Sequence, residues 1–267
     1  MMIFIGESIN GLNSRIYKAI LEKNKETIQI LARRQAEAGA NYLDLNVGTA
    51  WLRPAEVMVW LVETVQEATD TPLAIASRRL DVVEAGLQVC KKPVMINYTT
   101  GEKEKLAKFM ELAIKYQTSI VALTMDEQGI PPHAVGRVAI AKRIMDFAEG
   151  YGLPRDRLFI DPVLLPLKFS HAQGPIILES IRQIAREKIP PHIVVGLSNC
   201  SQGTKQRRLI NRTFLAMAMA CGLDAVIADV LDHHLVETGM AAEVILERHP
   251  AADQFFRGVK KPPARDG

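Results

Sequence analysis

Eight short apolar runs, each followed by a segment of helical character, constrain this chain more than any other feature. The runs are Met2–Ile5, Tyr42–Leu45, Leu73–Ile75, Val94–Ile96, Ile120–Leu123, Leu158–Ile160, Ile193–Val195 and Ala225–Ala228. Helices are expected from about Lys25 to Ala38 and over Pro54–Thr69, Leu80–Val89, Glu102–Tyr116, Ala134–Gly150, Gly174–Ile189, Asn211–Cys221 and Leu235–Leu246. In the first of these, Ile28, Leu31, Ala32 and Ala36 recur at helical spacing. Gly39 and Gly222 stand where C-cap glycines belong, and Pro54 stands at a helix start. Strands alternating with helices imply a parallel sheet with crossover helices. Eight such units in 267 residues match the size of a closed barrel. The expected fold class is therefore α/β, a single (β/α)8 TIM barrel over residues 1–257. The tail 258–267, rich in Lys, Pro and Arg, reads as a flexible end.

Composition removes several classes of function. Hydrophobic residues make up 48% of the chain and charged residues 24%, which suits a large soluble core. The net charge of +3 comes from Lys and Arg spread along the chain, so no nucleic-acid partner is expected. The longest apolar run, Phe214 to Val230, is broken by Gly222 and Asp224 and reads as a helix followed by a strand, not a membrane span. Cys90, Cys200 and Cys221 have no CxxC spacing and read as free thiols. The chain opens directly into a strand, and the expected compartment is the cytoplasm. No GxGxxG, P-loop or HExxH pattern occurs. His233 and His234 are adjacent, which argues against a shared metal-binding face, and no metal is expected.

The apolar runs lead into carboxylates and amides. Glu7, Asp44, Asn46, Asn97, Asp161, Ser198, Asn199 and Asp229 all fall at or just beyond strand C-termini, where barrels of this kind build their active sites. Some of them are equally read as helix caps or loop pins. Asn97, Asp161 and Asn199 argue most strongly for binding, because each ends an apolar strand and a buried polar group without a partner costs roughly 1–3 kcal/mol. A carboxylate accepts two parallel hydrogen bonds from a ring N–H and a neighbouring NH₂, and an Asn side chain offers a donor and an acceptor together. That set suits a flat, nitrogen-rich heterocycle. Lys205, Arg207, Arg208 and Arg212 follow the seventh strand and read either as a site for an anionic tail or phosphate or as a solvated loop face.

These segments resemble the pterin-binding methyltransferases that move a methyl group between tetrahydrofolate and a corrinoid protein. The resemblance lies in Ile5-Gly6-Glu7-Ser8-Ile9-Asn10-Gly11, Leu43-Asp44-Leu45-Asn46-Val47-Gly48, Met95-Ile96-Asn97 and Leu123-Thr124-Met125 with Gly129-Ile130-Pro131. It continues through Ile160-Asp161-Pro162, Gly196-Leu197-Ser198-Asn199 with Ser201-Gln202, and the long run from Leu209 to Ala220. It implies a TIM barrel, usually a homodimer, with tetrahydrofolate or methyltetrahydrofolate as substrate and the corrinoid supplied by a partner protein. It implies that Asn97 and Asp161 hold the pterin edge and that Asn199 is the catalytic residue beside N5. Gly196, Ser198, Gln202, Arg207, Glu7, Asp44 and Asn46 complete the implied substrate-binding set. Asp232-His233-His234-Leu235-Val236-Glu237 begins like the DxHxxG signature of corrin-binding modules, but Glu237 stands in place of the required glycine.

One departure bears on direction. The family usually ends its third strand on an aspartate, and here Ala76 occupies that place. Methyl donation from methyltetrahydrofolate benefits from a protonated N5, whereas methyl acceptance requires N5 neutral. The expected direction is therefore from a methylated corrinoid protein to tetrahydrofolate, in a demethylation system. The competing readings are transfer from methyltetrahydrofolate to a corrinoid/iron-sulfur protein in acetyl-CoA synthesis, a dihydropteroate synthase, and a folate-binding protein without turnover.

Overall fold

A computed structural model describes residues 1–170 and 172–248. The tail 258–267, and the last stretch of the barrel assigned from sequence, lie outside these residues. In chain order the elements are β1 (Ile3–Asn10), α1 (Ser14–Leu21), α2 (Lys25–Glu37), β2 (Tyr42–Asn46), α3 (Pro54–Gln66), β3 (Leu73–Ala76), α4 (Leu80–Val89), β4 (Val94–Thr100), α5 (Lys103–Lys115) and β5 (Ser119–Leu123). There follow α6 (Ala134–Gly150), β6 (Leu158–Asp161), α7 (Gln173–Ile184), β7 (His192–Gly196), the single turn α8 (Leu197–Cys200), α9 (Arg207–Cys221), β8 (Ala225–Ala228) and α10 (His233–Ile245). The eight strands close in sequence order, each parallel to its neighbours, as a (β/α)8 TIM barrel. Among the described residues no helix is long and apolar enough to cross a membrane.

Alternation along the strands produces two separate cores. One set of strand side chains packs outward under the helices: Leu43, Leu45, Ile75, Ile96, Ile120, Ile160 and Val195 belong to that larger cluster. The other set plugs the lumen: Ile5, Ala74, Met95, Val121, Phe159, Val194 and Ala225. Both faces of each strand are thus buried, which is why the strands read as short continuous apolar runs. Counting two residues on from the plug along the same face reaches Glu7, Ala76, Asn97, Asp161 and Gly196. The polar strand ends therefore form the layer directly above an apolar floor.

The structure differs from the sequence expectation in three places near the barrel mouth. β1 does not stop at Ile5 but continues to Asn10, with a register shift against β2 between Gly6 and Ile9. Such a shift bends the strand and re-aims its side chains. A helix not foreseen, α1, follows it. Its N-cap Asn13 accepts from the Arg15 and Ile16 N–H groups, and Ile16, Ala19 and Ile20 face the core. Finally, α9 begins at Arg207, four residues before the expected start at Asn211, and a separate helical turn, α8, carries Asn199.

Candidate active site

Asp44 and Asn97 project from β2 and β4 into the lumen and are only 4% and 6% exposed. Asn97 Nδ2 donates to Asp44 Oδ1 at 2.8 Å. This bond uses one of the two Asn97 N–H donors and leaves the carbonyl oxygen open to accept. Ala76 is paired in register with Asn46 on one side and Asn97 on the other. The third strand thus contributes a methyl group where its neighbours contribute amides. Asn46 itself is drawn into loop formation, because its Oδ1 accepts from the Gly48 N–H at 2.8 Å.

Asp161 ends β6 on the far wall and is 7% exposed. Its Oδ1 accepts from the Val163 N–H at 2.7 Å. Val163 has φ +62°, a conformation that β-branched residues rarely adopt. A residue that the sequence reading missed holds it there. Arg137 on α6 is completely buried, and its guanidinium donates to the carbonyls of Pro131, Pro162 and Val163 and to Gln173 Oε1. It stands behind Asp161 and clamps the strained turn from the carbonyl side, while Asp161 clamps it from the N–H side. An arginine in an amphipathic helix normally signals a solvated face, so no local signal marked this one. Gln35 on α2 was missed for the same reason. It is fully buried, and its Oε1 accepts from the Ser8 N–H at 3.0 Å, bracing the bent end of β1. Gly6 permits that approach: a Cβ there would lie 2.5 Å from Gln35 Oε1.

On the side of β7, β8 and β1 the site opens to solvent. Ser198 on α8 donates its hydroxyl to Glu7 Oε1, and Ser8 Oγ lies 3.5 Å from Asp229 Oδ1. The Asn199 amide folds back over Gly196, where an added Cβ would meet its Nδ2 at 3.0 Å. Asn199 is exposed, and among the described residues its side chain has no hydrogen-bond partner. A cavity of about 670 Å³ begins here, lined by Glu7, Ser8, Asn10, Ser198, Asn199, Gln202, Arg207, Arg208, Asn211 and Asp229 among others. That volume suits a small-molecule ligand. The sequence-selected residues therefore divide into two groups. Asp44, Asn97 and Asp161 form a buried polar floor, and Glu7, Ser198, Asn199, Gln202 and Arg207 line the open cavity beside it.

Burial pushes three carboxyls up to about 7. For Asp161 it outweighs the Val163 N–H, the Arg137 guanidinium and the Gly196 N–H, all of which favour the anion. For Asp44 it outweighs the Asn97 amide and is reinforced by Glu7. For Glu7 it outweighs Ser198 and Arg207 and is reinforced by Asp229. Three carboxyls above their ordinary range, gathered in one cleft, mark a functional site. They also set a pH dependence. Between the ordinary carboxylate pKa of about 4 and the folded value of about 7, the native state binds more protons than the unfolded chain. The stability these three groups contribute is therefore full at low pH and declines as pH rises through that window. Asp44→Asn keeps an acceptor for the Asn97 Nδ2 and removes one of the groups responsible. Denaturant unfolding at pH 5 and pH 8 should show the variant gaining at least about 1 kcal/mol on the wild type at the higher pH, since a tenfold change in proton affinity on folding is worth about 1.4 kcal/mol. Equal losses with pH in both proteins would mean that Asp44 is not held protonated by the fold.

His233, His234 and Glu237 bring potential ligand atoms within 4.8 Å of one another at the exposed start of α10. Adjacency did not keep the two imidazoles apart, for their ring centroids lie 3.9 Å from each other. His234 Nδ1 and Glu237 Oε2 lie 2.9 Å apart, the ordinary i,i+3 contact of a first helical turn.

A parallel barrel with a buried floor of amide and carboxyl groups, opening on one side into a polar cavity, offers acceptors of the kind a planar heterocycle rich in N–H groups requires. The comparisons agree. The profile described as pterin binding enzyme matches residues 6–229, and the chain belongs to that family. It is 34% identical over 265 residues to a methylcorrinoid:tetrahydrofolate methyltransferase of Eubacterium limosum, covering 97% of each chain. It is 26% identical over 239 residues to the methionine synthase of Mycobacterium leprae, of which it spans only 20%. Among solved structures, the dihydropteroate synthase of Yersinia pestis superposes with a TM-score of 0.66 at 14% identity, over 92% of this chain and 93% of that one. That likeness is one of fold.

Proposed function

We propose that this chain catalyses methyl transfer between a corrinoid protein and N5 of tetrahydrofolate, with the methyl group passing from the methylated corrinoid to the folate in a demethylation system. The observation that carries this reading is the meeting of the buried Asp44, Asn97 and Asp161 floor with an unpartnered, exposed Asn199 at the entrance of the cavity. The near full-length relative from Eubacterium limosum, whose name states this reaction in this direction, supports it.

In this reading Asp161 accepts from the N–H and NH₂ groups of the pterin edge, with its orientation fixed by the Val163 N–H. Asn97 accepts through its free carbonyl oxygen, with its amide oriented by the N–H that donates to Asp44. Asn199 borders N5, and its amide bonds to that nitrogen whether N5 offers a proton or a lone pair. The N5 lone pair attacks the methyl carbon in line, forming the N–C bond as the cobalt–carbon bond breaks; that bond pair leaves with the corrinoid, and N5 then releases its proton. The protein's main contribution is to align the two reactants. The corrinoid is a substrate carried on a separate protein or domain. A cytoplasmic homodimer belongs to the same reading and rests on the family resemblance.

Methyl exchange between free methylcobalamin and tetrahydrofolate, run in both directions, tests the function. Tight folate binding without exchange would leave a folate-binding protein. Condensation of p-aminobenzoate with a pterin pyrophosphate would leave a dihydropteroate synthase. Direction is tested at the third strand. Ala76→Asp places a carboxylate between Asn46 and Asn97 and should raise the rate of methyl donation from methyltetrahydrofolate several-fold, most visibly above neutral pH. If the variant donates no faster, and the wild type already methylates a reduced corrinoid at roughly 1–10³ s⁻¹, the directional argument is lost.

A further inference from the structure

The four basic residues that follow β7 have different tasks, and we propose that Arg208 binds the anionic glutamyl tail of the folate substrate. This inference deepens the proposed function and rests on it. Two of the four cations are committed within the fold. Arg207 donates from Nε to Ser201 Oγ at 3.2 Å and from Nη2 to the Ser198 carbonyl at 3.1 Å, so it holds the turn that carries Asn199. Arg212 pairs with Asp232 Oδ1 at 2.5 Å. Lys205 is exposed and lies outside the cavity wall. Arg208 lines the cavity, is exposed, and has no ion-pair partner among the described residues. It stands in the first turn of α9, whose N-cap Gln206 makes no side-chain capping bond. The helix N-terminus adds its partial positive charge to the guanidinium.

The chemistry of folate places the tail on this side. The arm that carries p-aminobenzoate and glutamate is attached to the ring carbon next to N5. With the pyrimidine edge against Asp161 and Asn97, and N5 against Asn199, the arm leaves the ring beside Asn199 and enters the cavity. The cavity of about 670 Å³ lies beside the Asp44, Asn97 and Asp161 floor, and its volume suits the arm. Exposed Asp229 also lines the cavity, on the side of β8 and β1, and its carboxylate repels an anion there. The tail carboxylates therefore belong beside Arg208, the cavity-lining cation that has no hydrogen-bond or ion-pair partner among the described residues. Each further γ-linked glutamate adds one carboxylate on the same side.

Calorimetry with tetrahydropteroate (which lacks glutamate), tetrahydrofolate and its triglutamate tests this on the wild type, Arg208→Ala and Arg208→Lys. The wild type should bind in the order triglutamate, monoglutamate, pteroate, with the preference shrinking at high salt. The Kd ratio of pteroate to triglutamate should fall about 3- to 10-fold in Arg208→Ala, the scale of a rim charge-assisted contact. Arg208→Lys should keep most of it. The same ratio in wild type and Arg208→Ala overturns the assignment. Tight binding of all three ligands with no preference in the wild type also overturns it while leaving the proposed function standing. Failure of the wild type to bind any of the three removes the proposed function and this inference together.

Discussion

Asp161→Asn should weaken tetrahydrofolate binding by about 2–4 kcal/mol, the scale of losing a charge-assisted bidentate contact and leaving groups unpaired. That corresponds to roughly 30- to 900-fold in Kd. The substitution is informative because the side chain has no freedom to compensate. Its Oδ1 must still accept from the Val163 N–H, so the new NH₂ group takes the position of the other oxygen and faces the pterin's own donors. The strained turn at Val163 should survive, since Arg137 holds its carbonyl and the variant keeps the acceptor. Burial raises the Asp161 pKa to about 7, so above that pH the variant is relieved of a buried charge and should unfold no more readily than the wild type. Calorimetric affinity and a melting curve at pH 8 separate the two effects. Unchanged affinity would remove Asp161 from the pocket.

Asn199→Ala should act on turnover and leave binding nearly intact. Asn199 is exposed, and the described structure gives its side chain no partner whose loss would disturb the fold. In the proposed reading its amide bonds N5 as that nitrogen changes charge, so the interaction strengthens between the bound substrate and the transition state. Removing a preorganised group of this kind costs about 10²-fold in turnover, and the Kd of tetrahydrofolate should change by less than about 3-fold. Single-turnover methyl transfer and equilibrium titration on the same samples provide both quantities. Equal losses in the two would make Asn199 a positioning residue, and no loss in either would make it a bystander.

Sequence alone determined the barrel and the polar strand ends that lie above its apolar plug. Strands buried on both faces must be apolar throughout, so the eight runs and their polar ends stand out wherever they occur. The two-residue period then carries Asn97 and Asp161 onto the lumen from Met95 and Phe159. The helix α1 was also legible, in the capping Asn13 and the spacing of Ile16, Ala19 and Ile20, although it is absent from the helices expected above.

Only the tertiary structure decided which polar groups are spoken for. Asn46 is drawn into pinning Gly48, and Arg207 and Arg212 are committed to Ser198, Ser201 and Asp232, leaving Arg208 uncommitted. Arg137 and Gln35, which look like solvent-facing helix residues, are buried supports of the site. The physical reason is that an apolar residue declares its environment through periodicity, since burial is favourable almost anywhere in a core. A polar residue is defined by its partner, and the partner can be remote in the chain: the bond from Ser198 to Glu7 spans 191 positions. Such pairings exist only once the barrel has closed.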